Sequence, residues 1–296
     1  MTSLQFTPAD RDAALELIRL ALAEDLGDAG DLTSESLIDP GQTGAIEVVS
    51  RQTGIIAGNP VAELVFADLD PAVRWNVAIP DGTPVHPREV IATVTGPMQS
   101  LLKGERTVLN FLTQLSGVAT LTRRFVDAVA DTKAVILDTR KTWPGYRRLQ
   151  KYAVRAGGGT NHRMGLYDGT MIKDNHLAAW SSAHKSIAAA IEHVRSSVPT
   201  GISLEVEVDT LAQLEQALTA NPDIVLLDNM PPAMLKKAVT ARNELAPGVL
   251  LEASGGVTLE RICEIAATGV DRISIGALTH SVIALDIGFD WKESGV

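Results

Sequence analysis

The chain has a single cysteine, Cys263, among 296 residues. No intrachain disulfide is possible, and a reducing compartment such as the cytoplasm fits. Cys263 lies in LERICEIAATG, which reads as a helix, and is expected to be an inert small apolar residue. No segment reaches the roughly 18 uninterrupted apolar residues that a membrane helix needs. The opening MTSLQFTPADRDAA carries no apolar run, so a secretory signal of the usual design is not expected. Positive charge is scarce: 26 Lys and Arg stand against 36 Asp and Glu, a net charge of −10. That balance argues against nucleic acid as a general partner. Low-complexity segments and strict internal repeats are also missing. What is present, 45% apolar and 21% charged residues, suits a globular chain of one large domain or two medium ones.

The scarce positive charge is concentrated. Between Asp138 and Arg163 stand seven cations (Arg140, Lys141, Arg147, Arg148, Lys151, Arg155 and Arg163) and one acid, Asp138. A basic island in an acidic chain suggests an anionic ligand. A solvated helix face would account for Arg147, Arg148, Lys151 and Arg155. It accounts less well for Arg140, Lys141 and Arg163, which flank the helix in glycine-containing turns.

The pattern changes along the chain. Leu15, Ile18, Leu22 and Leu26 recur at helical spacing. Short alternating runs follow at 45–51, 72–79 and 89–96, separated by turn signals such as Pro80-Asp81-Gly82, and read as a small, mostly antiparallel sheet. The next helix is expected over 104–117. Val108, Phe111, Leu112 and Leu115 form its buried stripe, and Arg106, Asn110 and Gln114 share the opposite face. Beyond residue 130, apolar strands at 134–138, 170–174, 204–209, 223–229, 249–255 and 272–277 alternate with helical stretches. Such alternation predicts a parallel sheet covered by helices. Six clear strands make an incomplete barrel plausible, with an open doubly wound sheet as runner-up.

Polar residues collect where these strands end, which is where βα barrels place their chemistry. Arg140 and Lys141 follow the first strand; arginine offers a planar fork for carboxylate or phosphate, and lysine a point charge. Gly157, Gly158 and Gly159 permit unusual backbone angles before His162 and Arg163, and Lys173 ends the next strand. His, Arg and Lys without a cysteine or second histidine make poor metal chemistry but good anion chemistry. Glu205 and Glu207 share one face of their strand, and buried carboxylates need partners. Glu207 and Asp228 lie one βα unit apart on the same rim, where they suit a hydrated Mg²⁺ or sugar hydroxyls; structural salt bridges are the competing reading. Ser254-Gly255-Gly256 and Ile275-Gly276-Ala277 end late strands and suit a phosphate.

The run TRKTWPGYRRLQKYAVRAGGGTNHRMGLYDGTMIKDNH resembles the signature stretch of the quinolinate phosphoribosyltransferase family. LAEDLGDAGDLTS, GERTVLNFLTQLSGVAT, LEVEVD, LLDNM, EASGGV and GALTHSV match further pieces, in family order, over nearly the whole chain. The resemblance implies an α/β chain: an N-terminal α/β sandwich domain over 1–115 and an incomplete parallel α/β barrel over 116–280. The tail 281–296 is a candidate to pack with the first domain. It implies transfer of phosphoribosyl from phosphoribosyl pyrophosphate to quinolinate, with loss of carbon dioxide and pyrophosphate, in de novo NAD biosynthesis. It implies a homodimer in which Arg106 reaches the other subunit's site. Thr139, Arg140, Lys141, His162, Arg163 and Lys173 would bind substrate, and Lys141, Lys173, Glu207 and Asp228 would serve catalysis. Mg²⁺ would sit at Glu207 and Asp228, directly or through water. Ser254, Gly255, Gly256, Ile275, Gly276 and Ala277 would take the 5′-phosphate.

Three other readings compete. A biotinyl- or lipoyl-type carrier would need an exposed lysine in a hairpin, and the first half offers only Lys103, outside the segment. A related phosphoribosyltransferase would act on another pyridine or small acid. A barrel that merely binds phosphosugars would show no turnover.

Overall fold

The computed structural model describes residues 4–181 and 186–291. The chain runs α1 (Pro8–Leu26), α2 (Leu32–Leu37), β1 (Thr43–Ser50), β2 (Gly54–Ile55), α3 (Asn59–Leu69), β3 (Arg74–Val77), β4 (Pro84–Val85), β5 (Val90–Pro97) and α4 (Met98–Ala128). It continues β6 (Val135–Leu137), α5 (Arg147–Ala156), β7 (Thr170–Ile172), α6 (Asp174–Ser181), α7 (Ile187–Ser197), β8 (Leu204–Val208), α8 (Leu211–Thr219) and β9 (Ile224–Asp228). Then follow α9 (Pro232–Leu245), β10 (Leu250–Ser254), α10 (Leu259–Ala266), β11 (Arg272–Ser274), α11 (Ala277–His280) and β12 (Ile287–Trp291).

Two compact units divide these elements. The first comprises residues 1–123, 141–158 and 277–296, and the second 124–140 and 159–276. The chain therefore crosses between units four times, where the sequence suggests one crossing near residue 115 and a returning tail. Matching charges explain why the 141–158 segment belongs to the first unit. Arg155 and Arg148 of α5 lie 2.9 and 3.7 Å from Asp10 of α1, and the Tyr152 hydroxyl donates to Asp81 at 2.6 Å. The solvated-face reading of α5 fails for the same reason. Lys151 is fully buried, and Leu149, Gln150, Tyr152, Ala153 and Val154 are buried with it.

In the first unit an antiparallel sheet is ordered β12-β1-β5-β3. β12 pairs along β1 from Ile46 opposite Trp291 to Ser50 opposite Ile287, so the chain's end completes its beginning. α4 does not stop at Gly117 as expected; it runs 31 residues. A Cβ on Gly117 would lie 2.4 Å from the Ile283 carbonyl oxygen, so that glycine serves a close approach rather than a helix end. Val118, Thr122 and Phe125 continue the buried stripe beyond it.

The second unit holds six parallel strands in the order β6-β11-β10-β9-β8-β7. Strands 7 to 11 advance in one direction, and the last meets the first. A doubly wound sheet would reverse direction at a switch point. The order is that of a barrel left open between β6 and β7. The segment after α5 enters this opening: Thr160 bridges Leu137 of β6, and Arg163 Nη1 donates to the Gly169 carbonyl, just ahead of β7, at 2.8 Å. Cys263 is exposed rather than part of the core, because α10 buries Ile262, Ile265 and Ala266 instead. Among the described residues no helix is long and apolar enough to cross a membrane.

Candidate active site

The strand ends of the barrel unit gather most of the residues singled out above. Lys173, just after β7, places Nζ 2.8 Å from Glu207 Oε2 on β8. Glu207 and Asp228, with Asp174 and Asp209, line a cavity of about 300 Å³ at these strand ends. β9 and β10 run in register, Asp228 beside Ser254. The loops beyond them interlock: the Asn229 N–H donates to the Ser254 carbonyl at 2.9 Å, and Asn229 Nδ2 to Asp228 Oδ2 at 2.8 Å. Gly255 has φ +92°, and a Cβ there would lie 2.1 Å from Asn229 Oδ1. Only glycine lets the two loops meet. Gly256, at φ +58°, leads to Thr258, the N-cap of α10, whose side chain makes no capping bond. The Ile275 side chain is buried, and its N–H donates to the Leu137 carbonyl, so Ile275 presents neither of these to a ligand.

Arg163 and Arg140 are close enough to repel. Burial first, and then the neighbouring Arg140, lower the Arg163 pKa, while Glu205 opposes the shift. Two guanidinium groups held together and partly buried have the chemistry to bind a planar carboxylate.

His162 is arranged differently. The sequence groups it with the substrate-reading cations, yet both its ring nitrogens face the protein. Nδ1 accepts the Arg163 N–H at 2.8 Å. Nε2 lies 3.1 Å from Glu205 Oε2 and 3.3 Å from Glu252 Oε1. Glu252 in turn takes Arg272 Nε at 2.8 Å. Burial opposes a charge on the ring, but the two carboxylates outweigh it and push its pKa up to about 9. The Arg163 N–H acts against that shift, because only an unprotonated Nδ1 can accept it. The proton of the ring then lies on Nε2, facing the two acids. Burial also raises the Glu205 carboxyl. The sequence flagged Glu205 as a carboxylate needing a partner but overlooked Glu252. The available signal was a lone acid inside the apolar strand VLLEAS.

The remaining candidates belong to the first unit or adjoin it in sequence. Arg106 and Asn110 are exposed on α4, and Gln114 beside them is half-buried. Lys141 is exposed, and its carbonyl accepts the Thr279 hydroxyl at 2.7 Å. Ala277 begins α11, and Thr139 is half-buried after β6. Lys103 is no carrier lysine: it sits in α4, 3.0 Å from Glu35.

Comparison with known proteins covers nearly the whole chain. Residues 31–116 match the quinolinate phosphoribosyl transferase N-terminal domain, and 118–290 the C-terminal domain of the same family. The chain is 46% identical to nicotinate-nucleotide pyrophosphorylase [carboxylating] of Mycobacterium leprae over 281 residues, covering 94% of this chain and 97% of that protein. It is 45% identical to the probable enzyme of the same name from Bacillus subtilis, covering 93% and 92%. The structure of nicotinate-nucleotide pyrophosphorylase from Francisella tularensis superposes with a TM-score of 0.89 at 36% identity, over 99% of this chain and 100% of that one.

Proposed function

The chain belongs to the quinolinate phosphoribosyl transferase family, and on that premise we propose how its own residues serve the reaction. It transfers phosphoribosyl from phosphoribosyl pyrophosphate to quinolinate, giving nicotinate mononucleotide, pyrophosphate and carbon dioxide for NAD biosynthesis. Arg140 and Arg163 hold the dicarboxylate. Two carboxylates answer two guanidinium groups, and charge-assisted bidentate pairs fix the plane of the ring. The pyridine nitrogen then faces the anomeric carbon of a ribose whose hydroxyls lie at Glu207 and Asp228. The 5′-phosphate lies against the Ser254–Gly256 and Ile275–Ala277 loops and takes backbone N–H groups there other than that of Ile275, which is held by Leu137.

As the anomeric C–O bond breaks, its electron pair leaves with pyrophosphate, and Lys141 and Lys173 stabilise that charge. The ring nitrogen's lone pair forms the C–N bond. The resulting pyridinium accepts the electrons of the adjacent C–C bond as carbon dioxide departs, and the ring carbon then takes up a proton. Catalysis of this kind is positioning and electrostatics.

Hard oxygen donors fit a divalent cation. Glu207, Asp228, Asp174 and Asp209 share one cavity, and Lys173 already occupies one oxygen of Glu207. Mg²⁺ would be held by Asp228 and Glu207, in part through water, and would neutralise the departing pyrophosphate. The exposed Arg106 face of α4 supports a homodimer in which Arg106 serves the partner subunit's site. The single exposed Cys263 suits the reducing cytoplasm.

The observation that carries this reading is the Lys173–Glu207 pair beside Asp228, on the barrel unit that also holds the paired Arg140 and Arg163. Purified protein is expected to form nicotinate mononucleotide, carbon dioxide and pyrophosphate from the two substrates only when divalent metal is present. Full activity in excess chelator would remove the metal role from Glu207 and Asp228.

A further inference from the structure

The barrel interior contains charge that the reaction does not use. Barrel interiors are ordinarily filled by branched apolar side chains. Here Glu205 is 3% exposed and Glu252 not at all. Buried carboxylates are costly, and apolar replacements of similar volume are often as stable or more so. Fold stability therefore does not explain them.

Their geometry does. The segment that fills the opening between β6 and β7 is tied at successive points. Thr160 bridges Leu137. Asn161 Nδ2 and the His162 N–H donate to the two oxygens of Asp138 at 2.6 and 2.9 Å. The Arg163 N–H donates to His162 Nδ1. Asp138 fixes the backbone at His162. Glu205 and Glu252 flank the ring at Nε2, 3.1 and 3.3 Å away, and restrain its orientation. Arg272 holds Glu252 from the far side.

We propose that Glu205 and Glu252 are positioning residues for quinolinate binding, acting through His162 to aim Arg163. The inference rests on the dicarboxylate reading of Arg163. The ring works as a spacer with a fixed tautomer: Nε2 carries its proton toward the acids, and Nδ1 is left bare to receive Arg163. A metal ion in this cluster is a poor fit. An imidazole binding a cation through Nε2 carries its proton on Nδ1, opposite the Arg163 N–H.

Two measurements test this, both on the full-length protein. The first is the kinetics of Glu205→Leu and Glu205→Gln beside wild type. Glu205→Leu is expected to raise KM for quinolinate about tenfold or more, the equivalent of one charge-assisted hydrogen bond. KM for phosphoribosyl pyrophosphate and the melting temperature should stay near wild type. Glu205→Gln should recover most of the quinolinate KM, because its amide carbonyl still accepts the Nε2 proton. A quinolinate KM unmoved by the Leu change overturns the proposal. So does a parallel rise in both KM values with a lowered melting temperature, the pattern of a residue that only supports the fold. The second is ¹⁵N-histidine NMR of the wild type, which needs no variant to fold. His162 should show an unprotonated, pyridine-type Nδ1 and a protonated Nε2 at neutral pH. An imidazolium pattern or the opposite tautomer overturns the spacer role. Failure of the wild type to turn over quinolinate would instead sink the dicarboxylate reading, leaving the NMR result to stand alone.

Discussion

The two ends of the same parallel strands both carry ion pairs, and they carry them differently. At the N-terminal end, Asp271 just before β11 accepts Arg242 Nη1 at 2.7 Å, Lys133 Nζ at 2.7 Å and the Leu251 N–H at 2.9 Å. Asp223 just before β9 repeats the device, accepting the Leu204 N–H at 2.7 Å with Arg195 at 3.7 Å. Each acid there ties one strand to its neighbour, and the cations around it are already answered. At the C-terminal end, like charges are held side by side, as with Arg163 and Arg140, and four carboxylates line one cavity. Acids that tie neighbouring strands at the N-terminal end serve the fold, whereas like charges gathered at the C-terminal end suit a charged ligand. βα barrels in general keep stability at one end and chemistry at the other.

Substitutions at the two ends should therefore separate activity from stability. The largest effect is expected at Arg163. Removing one partner of a buried charge pair costs on the order of 2–5 kcal/mol, so Arg163→Ala should lower kcat/KM for quinolinate roughly 30- to several-thousand-fold. Binding of phosphoribosyl pyrophosphate should change far less. Equal losses for both ligands with a lowered melting temperature would mean that Arg163 merely braces its turn.

Next come Arg106 and Lys173. Each alanine variant should lose about 10²–10³-fold in kcat, as when one stabilising donor is removed. Mixed and re-associated, the two should regain part of the activity, since one site in each heterodimer is then intact. No recovery in demonstrated heterodimers would place Arg106 in its own subunit's site.

The smallest effect on turnover is expected at the other end. Asp271→Asn should cost about 1–3 kcal/mol of stability, the penalty for unsatisfied buried partners, and leave kcat/KM near wild type at a temperature where the variant is folded. Its pH dependence has a definite sign. Burial alone would raise the Asp271 pKa, but the Leu251 N–H, Lys133 and Arg242 hold it below the ordinary 3.8. A depressed carboxylate contributes stability above its unfolded pKa and loses it as pH falls through the folded one. The melting-temperature gap between wild type and Asp271→Asn should be full at neutral pH and close only in acid below 3.8. A gap that is unchanged in acid contradicts the ion-pair account.

How much of this was legible in the sequence depended on whether the signal was local. All six barrel strands were visible, because a strand buried on both faces reads as an apolar run. Their ends placed Lys173, Glu207, Asp228 and the Gly255 loop correctly on one unit. The pairing of β12 with β1 joins residues more than two hundred positions apart, so no local pattern reports its register. The length of α4 was misread at Gly117, whose partner, the Ile283 carbonyl, is equally remote in sequence. His162 was grouped by charge type with the arginines beside it. Only the fold shows that its ring points to β8 and β10, because side-chain direction depends on a backbone tied to Asp138.

The account stands on the claim that the paired arginines read two carboxylates. The most direct measurement is kcat/KM of the wild-type protein for quinolinate against nicotinate, with phosphoribosyl pyrophosphate and Mg²⁺ in excess. A site built to bind a charged group rejects an analogue lacking it by roughly 10⁴-fold or more, and that preference for quinolinate is the predicted result. Comparable turnover of the two acids, within about tenfold, would contradict it.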